Sequence, residues 1–291
     1  MPNFRRFLSH RSLAFVGGAA LLFGLAMLHP YPRQSLFGPQ IEGIPWCVWE
    51  EEIRVHAHPR DERGWWFRLR EKLGLQPGRA AGPDVNARVA LPVYLHLADD
   101  SDVEVRRFAL EQLGRWTKEN ETEILPIFRG QLQDADPHCR LAAAHGLWHA
   151  TKDRDVTAIV LSLKDVADVD LRCRAILLLG LMAAGDPNLF DPLALMCADA
   201  EARVRHSAVY SMRHFGKRGV PILRKAFHDS SMAVRMGAIN AALNLREEGT
   251  GLYPDLQRLK DDPDPVVSSM AGDTLYRMDP KQFPKPASWV D

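Results

Sequence analysis

Histidines are the residues of this 291-residue chain whose type and spacing come nearest to chemistry. His145 and His149 stand four apart, so on a helix their imidazoles share a face and could hold a divalent metal. His206 and His214 would have to complete such a site, yet two stacked helical layers of ~10 Å each would keep them roughly 20 Å away. His56 and His58, in Val-His-Ala-His, form another close pair with no carboxylate or cysteine arrangement to finish a coordination shell. The four cysteines, Cys47, Cys139, Cys173 and Cys197, show no C-x-x-C spacing. They read as buried or isolated thiols, or as one disulfide, which their even number keeps open in an exported chain. The signatures of a nucleophile elbow, a P-loop, a zinc protease helix and a dinucleotide fold are all missing. These residues imply no metal, no cofactor and no enzyme, so the polar side chains are read for binding.

The elements that would position them form an internal repeat. With Cys139 as reference, equivalent residues are Val105, Leu171, Val204, Val234 and Val267, spaced 34, 32, 33, 30 and 33 residues apart. Four residues later every copy has alanine: Ala109, Ala143, Ala175, Ala208, Ala238 and Ala271. Eight residues later come Leu113, Leu147, Leu179, Met212, Ala242 and Leu275. Apolar residues at i, i+4 and i+8 lie on one face of a helix, here called helix B. The recurrent alanine implies close packing that a larger side chain would block. Acidic residues three before the reference, Asp102, Asp136, Asp168, Glu201 and Asp264, are placed to cap the helix start. Pro92, Pro126, Pro221 and Pro254 stand 13 before it and Pro192 stands 12 before, which suits the first turn of a preceding helix A. Two helices per roughly 33 residues predict an all-α solenoid of about six helix pairs.

The Asp-x-x-Val-Arg-x-x-Ala-x-x-x-Leu sets resemble the HEAT-repeat family, in particular its short phycobilisome-lyase HEAT-like form, over about two thirds of the chain. Arginine follows the reference in five of six copies, as Arg106, Arg140, Arg172, Arg205 and Arg235, with Ser268 breaking the series. Five arginines in a row could bind phosphates, but the resemblance implies a structural residue that pairs with the Asp of a neighbouring turn. A HEAT-repeat hydroxylase builds its di-iron site from His-Glu pairs, and this chain has no His-Glu dipeptide, so that activity is not carried over.

At 100° per residue, positions two, six, nine and ten after the reference face away from the core. The resemblance implies that this side of helix B lines a concave surface. In the second copy these positions hold Leu141, His145, Trp148 and His149; in the third, Cys173, Leu177, Gly180 and Leu181. The fourth presents His206, Tyr210, Arg213 and His214, and the fifth Met236, Asn240, Leu243 and Asn244. An apolar strip flanked by His and aromatic clusters is expected, a pattern that marks contact sites for a protein or an extended peptide. Cover by a neighbouring subunit or by the chain's own tail is the alternative.

Composition narrows the partners. The chain has 37 basic and 37 acidic residues, against the basic excess usual in nucleic-acid binders. Residues 1–11 carry Arg5, Arg6 and Arg11 and no acid, and residues 12–28 carry no charge. The pair reads as an uncleaved signal anchor, with a cleaved signal peptide or a buried helix as alternatives. The positive-inside rule keeps the arginines in the cytoplasm and puts the solenoid outside it, or leaves the chain secreted or periplasmic after cleavage. Residues 29–83 read as a proline-rich linker and an aromatic-rich cap with Trp46, Trp49, Trp65 and Trp66; membrane-interface anchoring is the rival use of those tryptophans. The solenoid occupies residues 84–279, and residues 280–291 form a proline-rich tail that either folds back through Phe283 and Trp289 or stays free. The function expected is a membrane-anchored scaffold for protein–protein interaction. An accessory lyase or chaperone related to phycobilisome lyases is second, and a HEAT-like nucleic-acid binder third.

Overall fold

The computed structural model describes residues 40–41, 44–57 and 87–284. The expected membrane anchor at 12–28, the Trp65–Trp66 segment and Trp289 lie outside the described residues. No helix among the described residues is long and apolar enough to cross a membrane. The chain divides into two compact units, Met1–Phe128 and Arg129–Asp291.

In the first unit, β1 (Gln40–Ile41) pairs antiparallel with β2 (Ile44–Pro45), Ile41 opposite Ile44. Three helices follow: α1 (Trp46–Ala57), α2 (Ala87–Leu97) and α3 (Val103–Trp116). Helix α1 packs on α2 and α3 and buries Trp49 and Ile53. Its sequence Glu50-x-x-Ile53-Arg54-x-x-Ala57 repeats the acid, reference, arginine and alanine spacing of helix B. Arg54 donates to both carboxylate oxygens of Asp100, Nη1 to Oδ1 at 3.1 Å. This helix, part of the stretch that reads in sequence as an aromatic cap, packs on the first helix pair and carries the reference and arginine spacing of helix B.

Helix α4 (Glu121–Gln131) contains the unit boundary. The second unit then runs through α5 (Pro137–Thr151), α6 (Thr157–Ser162), α7 (Val169–Ala183), α8 (Phe190–Met196) and α9 (Ala202–Ser211). It ends with α10 (Val220–Ala226), α11 (Met232–Leu245), α12 (Tyr253–Leu259) and α13 (Pro265–Met278). Helices α3, α5, α7, α9, α11 and α13 are the B helices. Within the second unit each packs on the next, and α6, α8, α10 and α12 each pack on the B helix that follows. This is an all-helical solenoid of repeated helix pairs. Every reference, +4 and +8 residue is buried, and all six repeat alanines are fully so.

The termini of the helices follow local chemistry. Asp102, Asp136, Asp168 and Asp264 cap their helices, as Asp136 does by accepting from the N–H groups of His138 and Cys139 at 2.9 and 3.0 Å. Glu201 holds the cap position without a side-chain cap bond. Instead its own N–H donates to Asp199 at 2.8 Å. The prolines divide. Pro192, Pro221 and Pro254 fall in the first turn of α8, α10 and α12, each after a 3-10 segment. Pro92 and Pro126 sit further inside α2 and α4, where the α-helix starts a turn earlier. Both are exposed, so water can satisfy the carbonyl each leaves without a donor. Phe283 meets the ring of Tyr253 edge-on at 5.1 Å, so the start of the tail folds back onto α12.

The arginines after the reference are structural. Arg140 Nη1 donates to the carbonyls of Asp134 and Ala135 at 2.7 and 3.0 Å, locking the turn that leads into its own helix. Arg106, Arg172, Arg205 and Arg235 repeat these bonds to their own turns. Arg205 also reaches the next turn, with Nε and Nη2 at 2.9 Å from the two oxygens of Asp229. Arg172 makes the matching link to Asp199 and Arg235 to Asp262. Each of these carboxylates accepts an N–H two residues on: Glu201 to Asp199, Ser231 to Asp229 and Asp264 to Asp262. The result is a ladder of charge-assisted bonds from repeat to repeat. The third copy has Val166 where the others have aspartate, so it offers Arg140 no carboxylate. His138 Nε2 lies 3.1 Å from Asp168 at that junction instead.

Candidate protein-binding surface

The outward face of α5, α7, α9 and α11 brings the expected residues onto one succession of packed helices. His145 and His149 are exposed on α5, their rings 6.2 Å apart, and Trp148 beside them is half-buried. On α7, Leu177 and Leu181 are each 39% exposed. On α9, the His206 and Tyr210 rings lie parallel at 6.5 Å, and from the 3-10 segment that follows, which also carries His214, the Arg213 guanidinium sits 3.6 Å from the Tyr210 ring centroid. Asn240 and Asn244 follow on α11, joined by a bond from Asn244 Nδ2 to the Asn240 carbonyl at 2.7 Å.

Three expected surface residues are buried. Leu141, Cys173 and Gly180 face neighbouring helices and not solvent. A Cβ added to Gly180 would stand 2.7 Å from Ser211 Cβ on α9, and closer still to its Oγ. Likewise a Cβ on Gly237 of α11 would stand 2.8 Å from His206 Cδ2. Parts of the flanks of these B helices are therefore occupied by the neighbouring B helix, positions six and ten are open on α5 and α7, and Trp148, His206 and Arg213 are partly exposed beside them.

Burial lowers the His206 pKa below the usual imidazole range. His214 is lowered first by burial and then by the neighbouring Arg213 charge, and its Nε2 is buried without a partner. Both rings are uncharged at neutral pH. Burial raises the Cys197 thiol to about 12, which makes it a poor nucleophile. Cys139, Cys173 and Cys197 are not disulfide-bonded, and no cluster of three metal-binding side chains occurs among the described residues.

A cleft of about 360 Å³ opens where α5 and α7 end, a feature that sequence reasoning missed. Trp148, Leu181 and Met182 form its apolar wall, with Lys152, Arg154 and Asp186 around it. Lys152 takes a left-handed backbone (φ 56°) to end α5, which carries its ammonium to 3.9 Å from the Trp148 ring centroid. Arg154 donates to the Gly185 carbonyl across the cleft, and the Asp186 carboxylate accepts the Asn188 N–H at 3.0 Å.

The family model described as HEAT repeats matches residues 91–180 and 190–276, more than half of the chain. This chain belongs to the HEAT-repeat family. No curated protein matches it. Among solved structures, the E. coli protein YibA is similar at 18% identity, over 78% of this chain and 82% of that one, with a TM-score of 0.48. An engineered protein is 16% identical over 80% and 72%, with a TM-score of 0.48. A designed armadillo repeat protein, solved in complex with the peptide (KR)4, is 16% identical over 65% and 99%, with a TM-score of 0.46. In this HEAT-repeat chain the conserved spacing accounts for the buried face and the arginine ladder, and leaves the side chains at positions six and ten free to differ between copies.

Proposed function

We propose that this HEAT-repeat protein is a membrane-anchored scaffold, not an enzyme, that binds a protein or an extended peptide on the outward face of its B helices outside the cytoplasm. The observation that carries the reading is Leu177 and Leu181. In every other copy positions six and ten hold polar or ring side chains: Glu111 and Arg115, His145 and His149, Tyr210 and His214, Asn240 and Asn244, Asp273 and Arg277. Only α7 presents two aliphatic side chains there, both open to solvent and bordered by rings on α5 and α9. Exposed apolar surface framed by aromatic and polar groups is a recurrent mark of interaction sites. The uncharged run at 12–28, preceded only by basic residues, supports the anchor and its orientation.

One experiment tests both parts. A photo-cross-linking amino acid is placed at Leu181, or at Leu195 on α8 as a more exposed control, in tagged protein expressed in its native membrane. Adducts from Leu181 alone are expected, in the fraction that resists carbonate extraction. Equal labelling from Leu195 would sink the surface reading, and release by carbonate would sink the anchor.

A further inference from the structure

We infer that the occupant of this surface is an extended acidic segment of a partner protein, which inserts one large apolar side chain into the cleft between α5 and α7 and sets a carboxylate against Lys152. The inference rests on the binding reading above and names its ligand class.

The cleft supplies the apolar half. Its volume of about 360 Å³ suits a single large side chain, and Trp148, Leu181 and Met182 give it apolar walls. Its charged groups are not equivalent. Arg154 is held by the Gly185 carbonyl, and Asp186 is used by the Asn188 N–H. Lys152 is exposed and lies over Trp148, so a carboxylate arriving beside a side chain stacked on that ring meets an ammonium already in place.

The sign of the surface supplies the other half. From α5 to α11, the sixteen residues at positions two, six, nine and ten include one arginine, four histidines and no acid. The acids of this region are drawn into the turns, where Asp199, Asp229 and Asp262 are bound by the ladder. The chain as a whole is neutral, and with no acid at these positions the fixed charges beside them are Arg213 and Lys152, so this face is positive by segregation and not by excess. A lysine-rich peptide would find a single carboxylate, Asp186 in the cleft, whereas an acidic one finds Lys152 on one side of the leucine pair and Arg213 on the other. With helices ~8–10 Å apart, two steps from α5 to α9 put these cations roughly 20 Å apart. That distance is about six residues of extended chain. The ligand is thus expected to carry two acids about six residues apart, with a bulky apolar side chain beside the first.

The test uses the full chain and fluorescence anisotropy. The probe is a fluorescein-labelled peptide with two glutamates so spaced and a tryptophan next to the first. Its counterparts replace both glutamates by lysine, or the tryptophan by alanine. The acidic peptide should bind at least ~10-fold tighter than either. Lys152→Glu should weaken the acidic peptide at least ~10-fold and strengthen the lysine peptide, with Lys152→Gln intermediate and helical content unchanged for both. Equal or tighter binding of the lysine peptide, indifference to both Lys152 variants, or no binding of any peptide would overturn the inference. Loss of the lysine peptide on Leu181→Glu would then leave the surface reading standing. Peptide binding that survives Leu177→Glu and Leu181→Glu would overturn both.

Discussion

Val166→Asp should add the missing rung of the arginine ladder. The neighbouring rung shows what it would look like: Arg205 meets both oxygens of Asp229 at 2.9 Å, each side chain 16% exposed. A rung so largely shielded is worth more than a surface pair, about 1–2 kcal/mol once side-chain ordering is charged against it. The new carboxylate would also accept the Asp168 N–H, as Asp199 accepts that of Glu201, for about 0.5–1.5 kcal/mol. Against this, a half-buried valine is lost, at about 1 kcal/mol. The net expectation is a gain of about 0.5–2.5 kcal/mol, read from the urea midpoint by circular dichroism at neutral pH. Arg140→Met in the same background should remove the gain, since Arg140 is the intended partner. Arg205 holds the Asp229 carboxyl below the usual carboxylate range, with its burial opposing. The new Asp should be depressed likewise, so its contribution is present above the unfolded carboxylate pKa and lost as the pH falls through the lower folded value. A variant no more stable than the parent, with coupling to Arg140 below about 0.5 kcal/mol, would refute the equivalence of this junction with the others.

Two further outcomes are expected. Gly180→Ala should destabilise by about 1–3 kcal/mol in the same urea assay, because its Cβ would overlap Ser211 on α9. The pKa values of His206 and His214 are lowered by burial, so the folded state takes up fewer protons than the unfolded chain. Stability should therefore fall as pH drops from above the unfolded imidazole value of about 6.5 towards the folded ones, and thermal melts of His206→Gln with His214→Gln should flatten that slope.

Much of the fold was legible because the repeat is written in residues that all face one way. Reference, +4 and +8 positions share a helix face, so their recurrence reports burial directly. Partners between repeats were harder. The aspartates five before the reference, Asp100, Asp134, Asp199, Asp229 and Asp262, stand in plain alignment, yet only the structure shows that three of them, Asp199, Asp229 and Asp262, receive the arginine of the preceding repeat. Arg54 plays the same part for Asp100, and the Ile-Arg-x-x-Ala of α1 was the signal for it. It was hidden by its aromatic surroundings and by a longer gap to the next copy. At the surface, a helical wheel treats each helix as alone. It therefore exposed Leu141, Cys173 and Gly180, which the neighbouring helices cover. The cleft was invisible for a related reason: it is made by the ends of two helices from different copies, and Lys152 enters it only through a left-handed residue.

The cleft and the missing rung belong to the same junction. Both lie between the second and third copies, where Val166 replaces the aspartate and the short α6, six residues long, begins without a proline. His138 with Asp168, whose carboxylate side chain is 47% exposed, is a weaker tie than the bidentate pair at Asp229. Solenoid stability is close to a sum of repeat and nearest-neighbour terms, so a junction with fewer ties opens at lower free energy than its neighbours. A ligand wedged between Trp148 and Leu181 contacts both sides of that junction and adds to the term that is smallest. Binding and stability are then coupled through one interface. Val166→Asp should raise stability while removing part of the freedom with which α5 and α7 adjust to an inserted side chain, whereas an exchange at the Asp229 rung should change stability and leave the cleft as it is.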